Sequence, residues 1–139
     1  MENLYINYFK VRKFKKEKIH INGPENIFKF PCIGYILKGK CEFHYKGNIY
    51  RAKENDLIYI SKGTRYYSIW TGEPEIEFYS IGFSFFNSYE KSEYGFQILE
   101  NYPEHNLHKI YQKRESSPME SLGEFYIFLK KLVLGCTNF

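Results

Sequence analysis

Between Ile33 and Trp70 the chain reads IGYILKGKCEFHYKGNIYRAKENDLIYISKGTRYYSIW, and no other stretch restricts the fold so tightly. Turn signals at Gly39, Lys46-Gly47, Glu54-Asn55 and Lys62-Gly63 cut it into pieces too short for helices. Between the turns, apolar and polar residues alternate or bunch in short runs, as in half-buried or fully buried strands. Closely spaced antiparallel strands must close or stack to cover their apolar faces and protect their edges. A small barrel or jelly roll is the expected outcome.

Composition agrees: 14 Tyr and 13 Phe stand against a single Ala, Ala52, a bias towards strands. At 139 residues, 43% hydrophobic and 26% charged, the chain is the size of one soluble globular domain. Besides Ile33–Lys38, Lys40–Tyr45, Asn48–Ala52, Leu57–Ile60 and Tyr66–Trp70, strands are expected near Lys15–Ile21, Ile27–Phe30 and Ile76–Phe86. Turns fall at Asn22-Gly23-Pro24 and Thr71-Gly72-Glu73-Pro74, and residues before Lys15 read as an irregular arm. Asn87–Glu93 reads as a loop and Tyr94–Glu100 as a last strand.

Two helices follow. Pro103–Arg114 carries Leu107, Ile110 and Tyr111 at helical spacing. In the second, Ser117 is the N-cap, Pro118 takes the first helical position, Glu120 completes a capping box and Gly135 is the stop. Its apolar stripe, Leu122, Phe125, Tyr126, Leu129, Leu132 and Val133, must be covered, on one side by the barrel and on the other by a second subunit. The expected organisation is thus a barrel with its arm over 1–100 and a helical extension packed on it over 101–139.

The net charge of +4 is concentrated at the N-terminus, where Lys10, Arg12, Lys13, Lys15, Lys16 and Lys18 outnumber Glu2 and Glu17. A basic arm suits a phosphate of nucleic acid or ligand, but an edge strand guarded by lysines is the plainer reading. Cys32, Cys41 and Cys136 have no CxxC spacing and give neither a disulfide framework nor a zinc knuckle. No signal peptide and no bilayer-length apolar run is present, so a cytoplasmic protein without membrane contact is expected.

The segment Tyr35-Ile-Leu-Lys-Gly-Lys, the KGN hairpin, and Asn55-Asp-Leu-Ile-Tyr-Ile-Ser-Lys-Gly-Thr-Arg-Tyr resemble the two motifs of a cupin barrel. More narrowly, they resemble the N-terminal sensor domain of AraC-family transcription regulators, over roughly Ile27 to Phe86. The resemblance implies a mainly β, cupin-like (double-stranded β-helix or jelly-roll) barrel followed by two C-terminal α-helices. It also implies a homodimer and a small-molecule effector, a sugar among the candidates. DNA would be contacted only through a helix-turn-helix half that residues 1–139 do not contain.

Metal-binding cupins place two His and a Glu on the first motif and a His on the second. Anchored on Gly39, the Glu position is Cys32, and the His positions fall at Glu25 or Asn26 and at Ile27 or Phe28. Anchored on Gly63, the remaining His is Tyr66, with Ser61 and Trp70 at the neighbouring motif positions. No metal and no cofactor is therefore expected. His20, His44, His105 and His108 read as surface or core residues, and Cys41 and His44, an odd number apart, face opposite sides of their strand.

What remains is a lumen. Strand parity groups Tyr66 with Ser68 and Trp70, and Cys32 with Gly34 and Ile36. With Tyr59, and with Arg12 from an arm that in resembling domains folds over the mouth, these are the expected ligand contacts. Leu122, Phe125, Tyr126, Leu129, Lys130 and Val133 are the expected dimer contacts. The chain is expected not to be an enzyme. The rivals are a metal-independent, isomerase-like cupin needing His and carboxylate in the lumen, and an effector-free dimerisation module whose lumen is filled.

Overall fold

The computed structural model describes residues 5–27, 30–85, 96–103, 106–134 and 137–138, with the backbone alone for 22–27, 133–134 and 137–138. They fall into two compact units, 1–102 and 103–139.

The first unit is two antiparallel sheets. One has the order β1-β8-β3-β6-β9, built from Ile6–Lys16, Ile76–Phe85, Cys32–Lys38, Leu57–Ile60 and Phe96–Leu99. The other has the order β2-β7-β4-β5, built from Ile19–Ile27, Arg65–Thr71, Lys40–Tyr45 and Asn48–Lys53. This is the barrel that the turn spacing implied, mainly β and cupin-like as the resemblance implied, with its core of Ile36, Cys41, Phe43, Ala52, Ile58, Ile60, Tyr66, Trp70, Ile76 and Phe96.

The turn chemistry behaves as written in the residues. Lys46 and Gly47 both have positive φ, 51° and 77°, the requirement of a two-residue hairpin loop matched to strand twist. Gly39 has φ 97°, and a Cβ there would stand 2.8 Å from the Thr71 carbonyl oxygen, so no other residue fits. Asp56 of the second motif is an anchor: its buried carboxylate accepts the backbone N–H of Lys53 at 2.9 Å and of Asn101 at 3.0 Å.

Two expectations change at the N-terminus. The arm is not irregular: β1 runs for 11 residues and pairs with β8 over most of its length. The Asn22-Gly23-Pro24 turn is instead taken up inside β2, where the pairing with β7 shifts register between Asn22 and Asn26. The expected loop at Asn87–Glu93 lies outside the described residues.

The second unit holds α1, Leu107–Lys113, α2, Pro118–Lys131, and a short hairpin of β10, Val133–Leu134, with β11, Thr137–Asn138. Ser117 is the N-cap of α2 and Pro118 opens it, but the Ser117 side chain makes no capping hydrogen bond. The capping box is not formed because Glu120 faces Lys109 at 3.6 Å and Lys113 at 3.9 Å on α1. The buried face of α2 is Ser121, Phe125, Phe128 and Leu129. Phe125 and Leu129 are therefore covered within the single chain and unavailable to a partner, which corrects the expected dimer contacts. Leu122 is half-buried, Tyr126 and Lys130 are exposed, and Val133 has left the helix for β10.

Candidate functional site

The register of the larger sheet sets out the lumen wall row by row. Arg12 pairs with Ser80, Ser80 with Gly34 and Gly34 with Ile58, so one row crosses β1, β8, β3 and β6. The next row is Lys10, Gly82, Cys32 and Ile60, and on the other side Phe14, Phe78 and Ile36. From the facing sheet, His20 pairs with Trp70 and Trp70 with Cys41, while Ser68 pairs with Phe43. Along β3 and β8 the middle positions are Cys32, Gly34, Ser80 and Gly82, small side chains that leave space between large ones.

That space is a cavity of about 270 Å3, lined among others by Arg12, Lys16, His20, Cys32, Ser80 and Phe78. Six residues expected from the sequence come together there: Arg12, Cys32, Gly34, Tyr66, Ser68 and Trp70. Two do not. Ile36 faces the same way but packs into the core with no exposure. Tyr59 pairs with Ile33 and Gln97, one step out of phase with Ile58 and Ile60, and so points to the opposite face of the sheet. A second chamber of about 230 Å3 shares Arg12, Cys32 and Ser80 with the first and adds Tyr8, Lys10, Phe30 and Gly82.

Aromatic contacts fix the walls. Phe78 stacks on Trp70 at 4.2 Å and on Phe14 at 5.2 Å between ring centroids, while Phe43 meets Trp70 edge-on at 5.9 Å. The indole N–H of Trp70 donates to Ser68 Oγ at 3.0 Å. Cys32 Sγ lies 3.4 Å from Ser80 Oγ. Burial pushes the Cys32 thiol up, against the opposing pull of the Ser80 hydrogen bond and the Arg12 charge, so it is an inert thiol. Burial also pushes the Tyr66 phenol well up. Burial, then the Lys16 charge, lowers the His20 pKa, which favours a neutral imidazole at the wall.

Sequence reasoning missed Phe14, Lys16, His20, Phe78 and Ser80, the contributions of β1, β2 and β8. Cys41 and His44 do face opposite ways: Cys41 is buried in the core and His44 stacks on Tyr67 at 4.1 Å on the outer face. Among the described residues no group of three His, Cys, Asp or Glu side chains is placed to hold a metal ion. No helix among the described residues is long and apolar enough to cross a membrane.

A barrel of this topology has the cupin-like fold, here with a lined cavity inside it. Residues 22–88 match the model of the AraC-like ligand binding domain. Two solved structures with this fold are chains of ToxT from Vibrio cholerae. Apo ToxT K231A from strain SCE256 has a TM-score of 0.60 at 12% identity, covering 99% of this chain and 62% of that one. ToxT from strain O395 bound to (E)-4-(8-methylnaphthalen-1-yl)but-3-enoic acid has a TM-score of 0.58 at 10% identity, covering 86% and 53%. This chain thus spans between about half and two thirds of the length of those chains. A cupin-2 domain protein from Shewanella frigidimarina has a TM-score of 0.44 at 12% identity, covering 54% and 70%. No curated protein sequence matches the chain.

Proposed function

We propose that this chain is the effector-sensing part of a cytoplasmic AraC-type transcription regulator, with a small organic molecule in the barrel lumen as its signal. The observation that carries the reading is the cavity itself: its wall mixes flat aromatic faces with a few directed polar groups, as in small-molecule sites. A filled barrel would leave no such space, which weighs against the effector-free module. An isomerase-like reading needs a His and a carboxylate together in the lumen. His20 is there, but no acidic side chain lines the cavity among the described residues.

Binding would act by population shift, through the elements that line the lumen, on how attached DNA-binding parts are held. Homodimer contacts are assigned to the exposed side of α2, where Tyr126, Ile127 and Lys130 are accessible. Ligand binding is tested by a thermal-shift screen of the 139-residue chain against small metabolites. A ligand at 100 to 1,000 times its dissociation constant adds about 3–4 kcal/mol to the folded state. A hit lost in Ser68→Leu is the expected result. A hit indifferent to every lumen substitution would move the site elsewhere.

A further inference from the structure

The alternation of β1 sorts the cations of the basic arm onto two faces, and among the described residues only one face is neutralised. On the outer face Lys13 and Lys15 reach Glu77 at 2.9 and 4.0 Å, and Lys18, beyond the strand, reaches Glu73 at 3.2 Å. On the lumen face stand Lys10, Arg12 and Lys16. Among the described residues none of these three has an acidic partner, and neither chamber has an acidic residue in its wall. Arg12 occupies the pivotal place: it lines both chambers and sits in the row of Ser80 and Gly34, where the wall is lowest. Lys10 and Arg12 are exposed and Lys16 is half-buried, so this part of the arm's charge stands at the open edge of the two chambers.

A cavity with uncompensated cations, stacked aromatic walls and few hydroxyls is poorly made for a free sugar. Polyols are held by acceptors for their hydroxyl protons together with donors to their oxygens, chiefly carboxylates as acceptors and amides as both. The hydroxyl and thiol groups available here are those of Ser68, Ser80, Tyr66 and Cys32. Ser68 Oγ already accepts from Trp70, and Ser80 Oγ and Cys32 Sγ are in contact with each other. An anion on a flat apolar body meets every feature of the wall. Its charge would take charge-assisted hydrogen bonds from the fork of a guanidinium, and its body would lie against aromatic faces. The volume, near the low end for small-molecule pockets, suits about a dozen non-hydrogen atoms.

We propose that the lumen recognises the carboxylate of a small aromatic or similarly flat apolar acid, with Arg12 as the anion anchor and Trp70 and Phe78 as the wall for its body. This rests on the sensor reading above and narrows it to a ligand class. Lys10 and Lys16 contribute longer-range attraction at the rim.

Trp70 is the only tryptophan of the chain, so its emission reports lumen occupancy directly. The test titrates 4-phenylbutyrate, 4-phenylbutan-1-ol and L-arabinose into the wild-type chain, Arg12→Gln and Lys15→Gln while following that emission. Lys15→Gln removes the same charge from the outer face of the same strand. The expected result is saturable binding of the acid, weakened about tenfold or more by Arg12→Gln or by replacing the acid with the alcohol, and unchanged by Lys15→Gln. Equal binding of acid and alcohol, or equal losses in both variants, would overturn the carboxylate anchor while leaving the lumen a ligand site. Binding of arabinose alone would overturn it in favour of a polyol. Silence from all three probes, with the native circular dichroism spectrum intact, would overturn the ligand class. Hits or their absence in the wider thermal-shift screen then decide the sensor reading separately.

Discussion

Trp70 of β7 and Phe78 of β8 stack across the barrel at 4.2 Å with 20° between ring planes, joining the two sheets at the edge of the cavity, as Phe43 and Phe96 do elsewhere at 4.8 Å. The pair serves both packing and binding. Trp70 is 6% exposed and also meets Phe43, so truncation removes area from the core as well as from the cavity wall. Trp70→Ala should lower unfolding free energy by about 3–5 kcal/mol in urea titrations. Trp70→Phe keeps a ring against Phe78 and should lose less than half of that. If both variants cost the same, the stack is not what holds the sheets here.

Gly34 offers a way to close the lumen without breaking the fold. Its φ is not left-handed, and a Cβ built there meets only ordinary contacts, Tyr79 O at 3.7 Å and Ile58 Cβ at 3.8 Å. Gly34→Ala should therefore be neutral or stabilising, by up to about 1 kcal/mol. Gly34→Leu should fill the cavity and abolish the thermal shift given by any lumen ligand, while circular dichroism stays native. Retained binding in a folded Gly34→Leu chain would place the ligand outside this chamber.

Much of this architecture was legible in the residues, and the failures have physical causes. On β7 every second residue is buried, Tyr66, Ser68 and Trp70, so parity alone assigns the lumen face. On β8 the sequence does alternate from Tyr79, but hydropathy points to the wrong side. The apolar residues Tyr79, Ile81, Phe83 and Phe85 are buried on the face away from the lumen, and Ser80 and Gly82 stand on the lumen face. β1 hides its role because cations occupy both of its faces. What distinguishes Arg12 from Lys13 is pairing with a strand some 65 residues away, through Ser80 and Tyr79. In α2 the apolar stripe drawn from hydropathy is turned from the real one. Ser121 is buried, with its hydroxyl donating to the Ile110 carbonyl at 2.6 Å, while Tyr126 is left exposed. A small polar residue satisfied by a backbone acceptor carries no hydropathic signal.

Asp56 ties the turn between β5 and β6 to the end of β9, through Lys53 N–H and Asn101 N–H. It is 2% exposed, so removing the carboxylate strands two donors away from water. Asp56→Ala should cost about 2–4 kcal/mol in chemical denaturation. Asp56→Asn retains one acceptor oxygen and should recover part of the loss. Amide exchange at Asn101 should accelerate in both variants, and unchanged protection there would rule out the tether.

Glu77 makes stability depend on acid pH with a definite sign. The Lys13 hydrogen bond, joined by the charges of Lys13, Lys15 and Lys38, holds its carboxyl below the usual range despite burial. The unfolded chain, with an ordinary carboxylate, therefore takes up the proton first as pH falls. The contribution of Glu77 is complete above the ordinary carboxylate pKa and fades as pH drops through the lower folded value. Glu77→Gln should cost about 1–3 kcal/mol near neutrality, where the carboxylate is replaced by a neutral group facing three amines. Urea titrations from about pH 7 to pH 3 should show the wild type losing its advantage over Glu77→Gln, and the two curves converging at the acid end. A gap between them that stays constant with pH would mean that Glu77 acts through packing and not through its charge.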